Sequence, residues 1–133
     1  KSDLLEHSDY VTLHVPHLGN THHYIDADAL DRMKTSSYLI NTSRGPVVDE
    51  QALISAMKSN KIAGAGIDVF EQEPLSVDNP LLNMENVICT PHVAGSSKIG
   101  WEIIRRRAGE EAARVLRGER PHTVVNPEVL GRL

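Results

Sequence analysis

Residues 38–57 read Tyr-Leu-Ile-Asn-Thr-Ser-Arg-Gly-Pro-Val-Val-Asp-Glu-Gln-Ala-Leu-Ile-Ser-Ala-Met. The character of the chain changes twice within them. Tyr38-Leu39-Ile40 is a short apolar run of strand-forming residues, the pattern of a buried strand. Asn41-Thr42-Ser43-Arg44-Gly45 is polar and turn-forming. Asp49 then stands where a helix N-cap belongs, ahead of Ala52, Leu53, Ala56 and Met57 at the spacing of one helical face. Asn60 offers a left-handed stop. A buried strand, a polar loop and a capped helix make half of a β-α-β unit.

The alternation continues outward in both directions. Tyr10 to Val15 sets Val11, Leu13 and Val15 on one face of a strand that stops at Pro16. Asp26 caps a short helix bearing Ala29, Leu30 and Met33. Ile62 to Phe70 reads as the next strand, its Ala63-Gly64-Ala65-Gly66 suited to close backbone packing. Residues 71–85 hold two prolines and no period, and read as loop. Asn86 to Thr90 is a last strand, ended by Pro91. Ser96 or Ser97 opens the longest helix, to Leu116, with Ile99, Ile103, Ala108, Ala112, Val115 and Leu116 near one face and Gly118 at its end. Gly100 and Gly109 each weaken it by about 1 kcal/mol, which close packing against a partner helix would offset. The alternation predicts an α/β domain: a parallel sheet with helices on both faces.

With 40% hydrophobic and 24% charged residues, the chain is globular in composition. Its net charge is −4, and its one basic run, Arg105-Arg106-Arg107, sits in a helical pattern as a solvated face, so no nucleic-acid partner is expected. A single cysteine, Cys89, excludes an intrachain disulfide; it lies in an apolar run, as a small buried hydrophobe would, and fits a reducing, cytoplasmic setting. No apolar stretch approaches the roughly 20 residues of a membrane span, and no signal peptide opens the chain. The opening Lys-Ser-Asp-Leu-Leu-Glu, without Met, reads like the middle of a helix, so a longer parent protein is expected.

In parallel sheets, ligands bind beyond the carboxyl ends of the strands. Three polar motifs fall at those ends: after Ile40, after Ile67 and after Thr90. Arg44, between a buried strand and Gly45, reads equally as a two-pronged clamp for a carboxylate or as a surface ion pair. Glu73 precedes Pro74, and His92 follows Pro91; a histidine beside a carboxylate is an acid–base pair, whereas alone in a loop it is more often idle. Asp68 lies inside the apolar run Ile67-Asp68-Val69-Phe70, and a buried carboxylate needs partners. No metal site is expected: His22 and His23 are adjacent, and neighbours on an extended segment point to opposite sides.

Taken together, the motifs Ser-Asp-Tyr-Val-Thr-Leu-His-Val-Pro (8–16), Ile-Asn-Thr-Ser-Arg-Gly (40–45), Val-Asp-Glu-Gln-Ala-Leu (48–53), Gly-Ile-Asp-Val-Phe-Glu-Gln-Glu-Pro (66–74) and Thr-Pro-His-Val-Ala-Gly (90–95) closely resemble the D-isomer-specific 2-hydroxyacid dehydrogenases. The resemblance runs from Leu4 to Asn126, with the motifs in the family's order and spacing. It implies a Rossmann-like dinucleotide domain and hydride transfer between NAD or NADP and a small 2-keto or D-2-hydroxy acid. It also implies roles: Arg44 on the substrate carboxylate, His92 as general acid or base, and Glu73 hydrogen-bonded to His92. Asp68 would contact the nicotinamide carboxamide. Val15, Pro16 and Thr21 would line the adenosine side, with Thr42, Ser43, Ala94 and Gly95 completing the cradle.

The resemblance further implies a homodimer, with the Ser96–Leu116 helix and Trp101 as contributors. It assigns residues 1–117 to the later part of the dinucleotide domain. Residues 118–133 would return towards a substrate domain, so that Pro121–Asn126 hangs loose in this chain. The family's glycine-rich turn and its ribose-reading acid are not among these residues, so weak cofactor binding and no turnover are expected of the chain alone. Gly64-Ala65-Gly66 is no substitute, because it lies within a strand pattern. Two other readings are a non-catalytic, dinucleotide-sensing corepressor-like relative and a receiver-like signalling domain. The latter needs an acidic phosphoacceptor cluster, and Thr-Ser-Arg and Thr-Pro-His stand at the strand ends instead.

Overall fold

A computed structural model describes residues 1–132. In chain order it forms α1 (Ser2–His7), β1 (Tyr10–Leu13), α2 (Ala27–Arg32), β2 (Tyr38–Asn41), α3 (Glu50–Lys58), β3 (Gly64–Ile67), β4 (Val87–Cys89) and α4 (Lys98–Leu116). Short 3-10 turns occupy Gly45–Val47, Pro80–Asn83 and Pro127–Arg132. The chain divides into two compact units, Lys1–Ala94 and the residues from Gly95 on. That division falls ahead of α4, whereas the sequence reading placed a boundary after Arg117.

In the first unit four strands pair in parallel in the order β1-β2-β3-β4. Alternate residues Val11, Leu13, Leu39, Ala65 and Ile67 turn to one face and form a single core with Leu5 of α1, Ala29 and Leu30 of α2, and Leu53, Ile54, Ala56 and Met57 of α3. Burying each large aliphatic side chain contributes about 1.5–3 kcal/mol. Local signals start and stop the helices as the sequence indicates. Asp26 accepts from Ala29 N at 2.8 Å, Asp49 accepts from Ala52 N at 2.9 Å, and Asn60 has φ 52°.

The opposite face of the sheet carries apolar side chains of its own within the first unit. Tyr10, Tyr38 and Ile88 lie there exposed, and α1–α3 all pack on the other side. Tyr10 and Tyr38 stack across neighbouring strands with ring centroids 5.5 Å apart. Gly64 is required beneath them: a Cβ there would lie 2.7 Å from Asn86 O and 2.9 Å from Tyr38 Cε1.

Two elements are shorter or more structured than expected. Strand β3 ends at Ile67, and three residues on Phe70 N donates to Glu73 Oε1 rather than to a neighbouring strand. Val69 and Phe70 nevertheless stay buried, so the apolar run marked burial rather than strand length. The 71–85 loop contains the Pro80–Asn83 turn, started by Asn79 accepting from Leu81 N and anchored by fully buried Leu81.

In the second unit Ser97 caps α4 by accepting from Gly100 N at 2.9 Å, and Gly118 closes it at φ 75°. No residue of α4 is buried. Its apolar residues do not share one face: Ile99 and Ala108 are separated by about two and a half helical turns and so point opposite ways. The coherent stripe is Trp101, Ile104, Ala108 and Val115. At Gly109, apart from the adjoining helix backbone, no other described residue of the chain comes within 4 Å of where a Cβ would stand. After α4, Glu119 bridges Arg114 and Arg117, and His122 N donates to Glu111 Oε2 at 2.9 Å, while Val125 is exposed.

Candidate functional site

Parallel register places the last residues of the four strands side by side: Leu13 opposite Asn41, Asn41 opposite Ile67, and Ile67 opposite Cys89. The loops that leave them carry every polar motif picked out from the sequence. The structure gathers those motifs into two neighbourhoods.

The first is built around His92. Its Nδ1 lies 2.9 Å from Glu73 Oε2. Glu73 is held in turn by Phe70 N, which donates to Oε1 at 3.0 Å; the Glu73–Pro74 peptide is cis. The His92 hydrogen bond and the Phe70 N–H outweigh burial and hold the Glu73 carboxyl below its ordinary range. An ionised Glu73 can only accept, so Nδ1–H donates and Nε2 is the nitrogen left for a substrate.

His92 itself has φ 54°, a left-handed conformation uncommon for a non-glycine residue. Asp68 is what holds it there. Asp68 is 3% exposed. Its Oδ1 accepts from Thr90 Oγ1 at 2.5 Å and Val93 N at 2.8 Å, and its Oδ2 accepts from Ala94 N at 2.9 Å. Its backbone carbonyl accepts from His92 N at 2.9 Å. Burial pushes the Asp68 carboxyl up, but the bonds from Thr90, Ala94 and Val93, with the nearby His92, outweigh it and leave it lowered. Asp68 thus fastens the turn that presents His92. A cavity of about 720 Å³ adjoins His92 and Glu73, with Phe70, Leu75, Leu82 and Cys89 in its wall. Burial and the charge of Glu50 push the half-buried Cys89 thiol up, so it is the less reactive, protonated form.

The second neighbourhood is built around Arg44. Arg44 is exposed and donates to Ser43 O at 2.6 Å. With His14, Val15, Pro16, His17, Thr42 and Ser43 it lines an open cavity of about 600 Å³. Thr21 does not line that cavity. Its hydroxyl donates to Pro16 O at 2.6 Å and accepts from Leu18 N at 2.7 Å, closing its own turn. Ala94 is exposed, and Gly95 opens the second unit.

Two residues that the sequence reading gave no role brace these loops. Asn41, 1% exposed, accepts from Ser43 N and Ser43 Oγ through Oδ1 and donates from Nδ2 to Arg44 O. Strand parity could have found it, since Asn41 shares the buried face of Leu39. Gly45 lies directly under the Phe70–Glu71 peptide: a Cβ there would come within 1.9 Å of Phe70 O. It joins the Arg44 loop to the loop that holds Glu73. No pattern in the sequence signals a contact between positions 25 residues apart.

A guanidinium, an imidazole–carboxylate pair and a left-handed turn at one sheet edge can bind an anion and move a proton. The family described as D-isomer specific 2-hydroxyacid dehydrogenase, NAD binding domain, matches residues 1–94. A glyoxylate reductase of Thermofilum pendens is 50% identical over 96% of this chain, which spans 38% of that protein. The NAD-complexed D-isomer specific 2-hydroxyacid dehydrogenase of Lactobacillus delbrueckii ssp. bulgaricus superposes with a TM-score of 0.85 at 31% identity, covering 93% of this chain and 42% of that one. A Xanthobacter autotrophicus Py2 relative in complex with NADPH and MES gives a TM-score of 0.80 at 37% identity, covering 96% and 52%. The chain therefore spans about two-fifths to half the length of these relatives, and it belongs to the D-isomer specific 2-hydroxyacid dehydrogenase family, within whose NAD-binding domain its sheet and strand-end loops lie.

Proposed function

We propose that this chain supplies the proton-transfer and carboxylate-binding groups of an NAD(P)-dependent reductase of small 2-keto acids. The observation that carries the reading is the 2.9 Å contact of His92 Nδ1 with Glu73 Oε2, on a turn that Asp68 fixes. Glu73 fixes the tautomer of His92, which gives its Nε2 proton to the carbonyl oxygen in reduction and takes it back in oxidation. Arg44 holds the substrate carboxylate and polarises the keto group.

The open cavity at Val15, Pro16, Thr42 and Ser43 suits a dinucleotide, since it lies at the strand ends and is lined by the Thr42 hydroxyl and the Arg44 guanidinium. A bound nicotinamide supplies the hydride to the carbonyl carbon. Ala94 and Gly95 complete the cradle. For Asp68, the donors of Thr90, Val93 and Ala94 leave one Oδ2 lone pair for the carboxamide; its main role is to position His92.

Glyoxylate and hydroxypyruvate, named for the curated relatives, are the substrates to test, with both NADH and NADPH. The wider assignment also carries forward: residues 1–117 in the dinucleotide domain, residues 118–133 returning to a substrate domain, a cytoplasmic setting, and a homodimer joined through the Trp101 stripe of α4. Among the described residues, no helix is long and apolar enough to cross a membrane.

The test uses the longer parent protein. His92→Gln should lower kcat for 2-keto acid reduction by about 10²–10⁴ while NADH binding, followed by fluorescence, persists. Turnover undiminished by the substitution would remove His92 from the proton path. NADH binding without turnover in the unsubstituted protein would favour a corepressor-like relative.

A further inference from the structure

The exposed Arg44 stands on a loop that is rooted in a buried amide. Asn41 closes β2 on the face that Leu39 shares, and at 1% exposure its polar atoms need partners. Its side chain finds them in Ser43 and Arg44. Oδ1 accepts from Ser43 N at 3.0 Å and from Ser43 Oγ at 2.9 Å, and Nδ2 donates to Arg44 O at 3.0 Å. Ser43 O then accepts from the Arg44 guanidinium at 2.6 Å. Asn41 therefore holds Arg44 at both ends: at the main-chain carbonyl directly, and at the guanidinium through Ser43. The partners fix the direction of the amide, because Ser43 N–H can only donate and Arg44 O can only accept. A carboxylate in its place lacks the donor, and a hydroxyl lacks the reach to serve both.

The main chain of Asn41 reaches the other way, towards the end of β3. Asn41 O accepts from Asp68 N at 3.0 Å, and Asp68 O accepts from His92 N at 2.9 Å. The Asp68 carboxylate also fastens Val93 N and Ala94 N. A continuous hydrogen-bonded route thus runs from Arg44 through Asn41 and Asp68 to His92. Its two inner members are both buried, so neither is a freely rotating surface side chain. A 2-keto acid held by Arg44 and protonated by His92 must meet both groups at once. A misplacement of about 1 Å costs on the order of 10² in rate.

We propose that Asn41 is a positioning residue for substrate binding: by gripping Arg44 at its carbonyl and, through Ser43, at its guanidinium, it aims that guanidinium at the carboxylate of the 2-keto acid. The inference rests on Arg44 binding that carboxylate, as proposed above. Asn41 is buried beneath the loop and acts on the substrate only through Arg44. Without its grip the guanidinium rotates freely and the carboxylate is held less tightly, so KM rises more than kcat falls.

A double-mutant cycle in the longer parent protein tests it, read as kcat and KM for glyoxylate at saturating NADH or NADPH. Asn41→Asp keeps the size and removes the donor to Arg44 O; it should raise KM roughly tenfold or more, with a smaller change in kcat. In an Arg44→Ala background the same substitution should change kcat/KM by about twofold or less, because the group it aims is gone. A merely structural role for Asn41 gives the same fold loss in both backgrounds, and that result overturns the proposal, as does an unchanged KM in Asn41→Asp. Asn41→Ser, which buries no charge, carries the same cycle should Asn41→Asp fail to fold. Arg44→Ala alone separates the two readings. An unchanged KM in that variant removes Arg44 from the carboxylate, and the proposal with it. A raised KM, with the loss from Asn41 undiminished in that background, leaves Arg44 in place and overturns only the role of Asn41.

Discussion

Asp68 is a carboxylate whose oxygens face three donors on the segment that bears His92. Asparagine in its place keeps the shape but turns an NH₂ towards one of those donors, and it removes the charge from the remaining bonds. Charge-assisted bonds contribute about 1.5–3 kcal/mol each, and an orphaned buried donor costs a similar amount. Asp68→Asn should therefore destabilise the chain by about 2–4 kcal/mol near neutral pH. It should also release His92 from its left-handed turn, lowering kcat in the parent protein more than it raises KM.

Acid makes the same point by another route. Folding lowers the carboxyls of Asp68 and Glu73, so their contribution to stability is complete above the unfolded-state values of about 4. It is lost as pH falls from there through the lower folded-state values. The gap in denaturation midpoint between the original chain and Asp68→Asn should be wider at pH 7 than at pH 3. A gap of constant width would mean that the charge of Asp68 is not what holds the turn.

At the scale of elements, the two halves of the site depend on one another through Gly45. Its missing side chain lets the Arg44 loop pass beneath the Phe70–Glu71 peptide, and the 1.9 Å approach to Phe70 O involves backbone on both sides. Neither partner can move aside as a flexible side chain would. Gly45→Ala should cost at least about 3 kcal/mol, read as a shift in urea midpoint, and should displace Arg44 and Glu73 together. An alanine variant of unchanged stability would show that the two loops are not in register at this point.

Elements written in local chemistry were legible before any coordinates: the caps Asp26, Asp49 and Ser97, the left-handed Asn60, and the parity of Val11, Leu13 and Leu39. Contacts between segments were not. The dependence of Gly45 on Phe70 and the hold of Asp68 on the turn at His92 are set by how loops cross, which no period encodes. The Glu73–His92 pair was reached through resemblance, since spacing alone left His92 as readily idle. The apolar run 67–70 misled about strand length because burial and strand pairing select the same residues. On α4, apolar composition does not define a face, because residues nine apart, such as Ile99 and Ala108, point opposite ways.

For the whole molecule, the contrast lies between a first unit with a continuous core and a second whose principal helix buries nothing. Leu39, Ile62 and Leu53 are shielded from solvent, so the amides of β2 and β3 should open only with global unfolding. Along α4, Trp101 is 48% and Leu116 88% exposed. With no buried side chain, the helix is held by its own hydrogen bonds, by the Ser97 cap, and by a few surface ion pairs worth about 0–1 kcal/mol each.

Most helical stability in proteins comes from packing of an apolar face rather than from propensity, and α4 buries no side chain. Amides 101–116 in the 133-residue chain should therefore exchange with solvent orders of magnitude faster than those of β2 and β3. If the Trp101, Ile104, Ala108, Val115 stripe joins two copies as proposed, that exchange should slow as protein concentration rises, and Trp101→Glu should abolish the slowing without touching the strands. Strong protection of α4 at every concentration would show that the helix is stable without a partner. Fast exchange at every concentration, alongside a sedimentation-proven dimer, would place the dimer contact elsewhere.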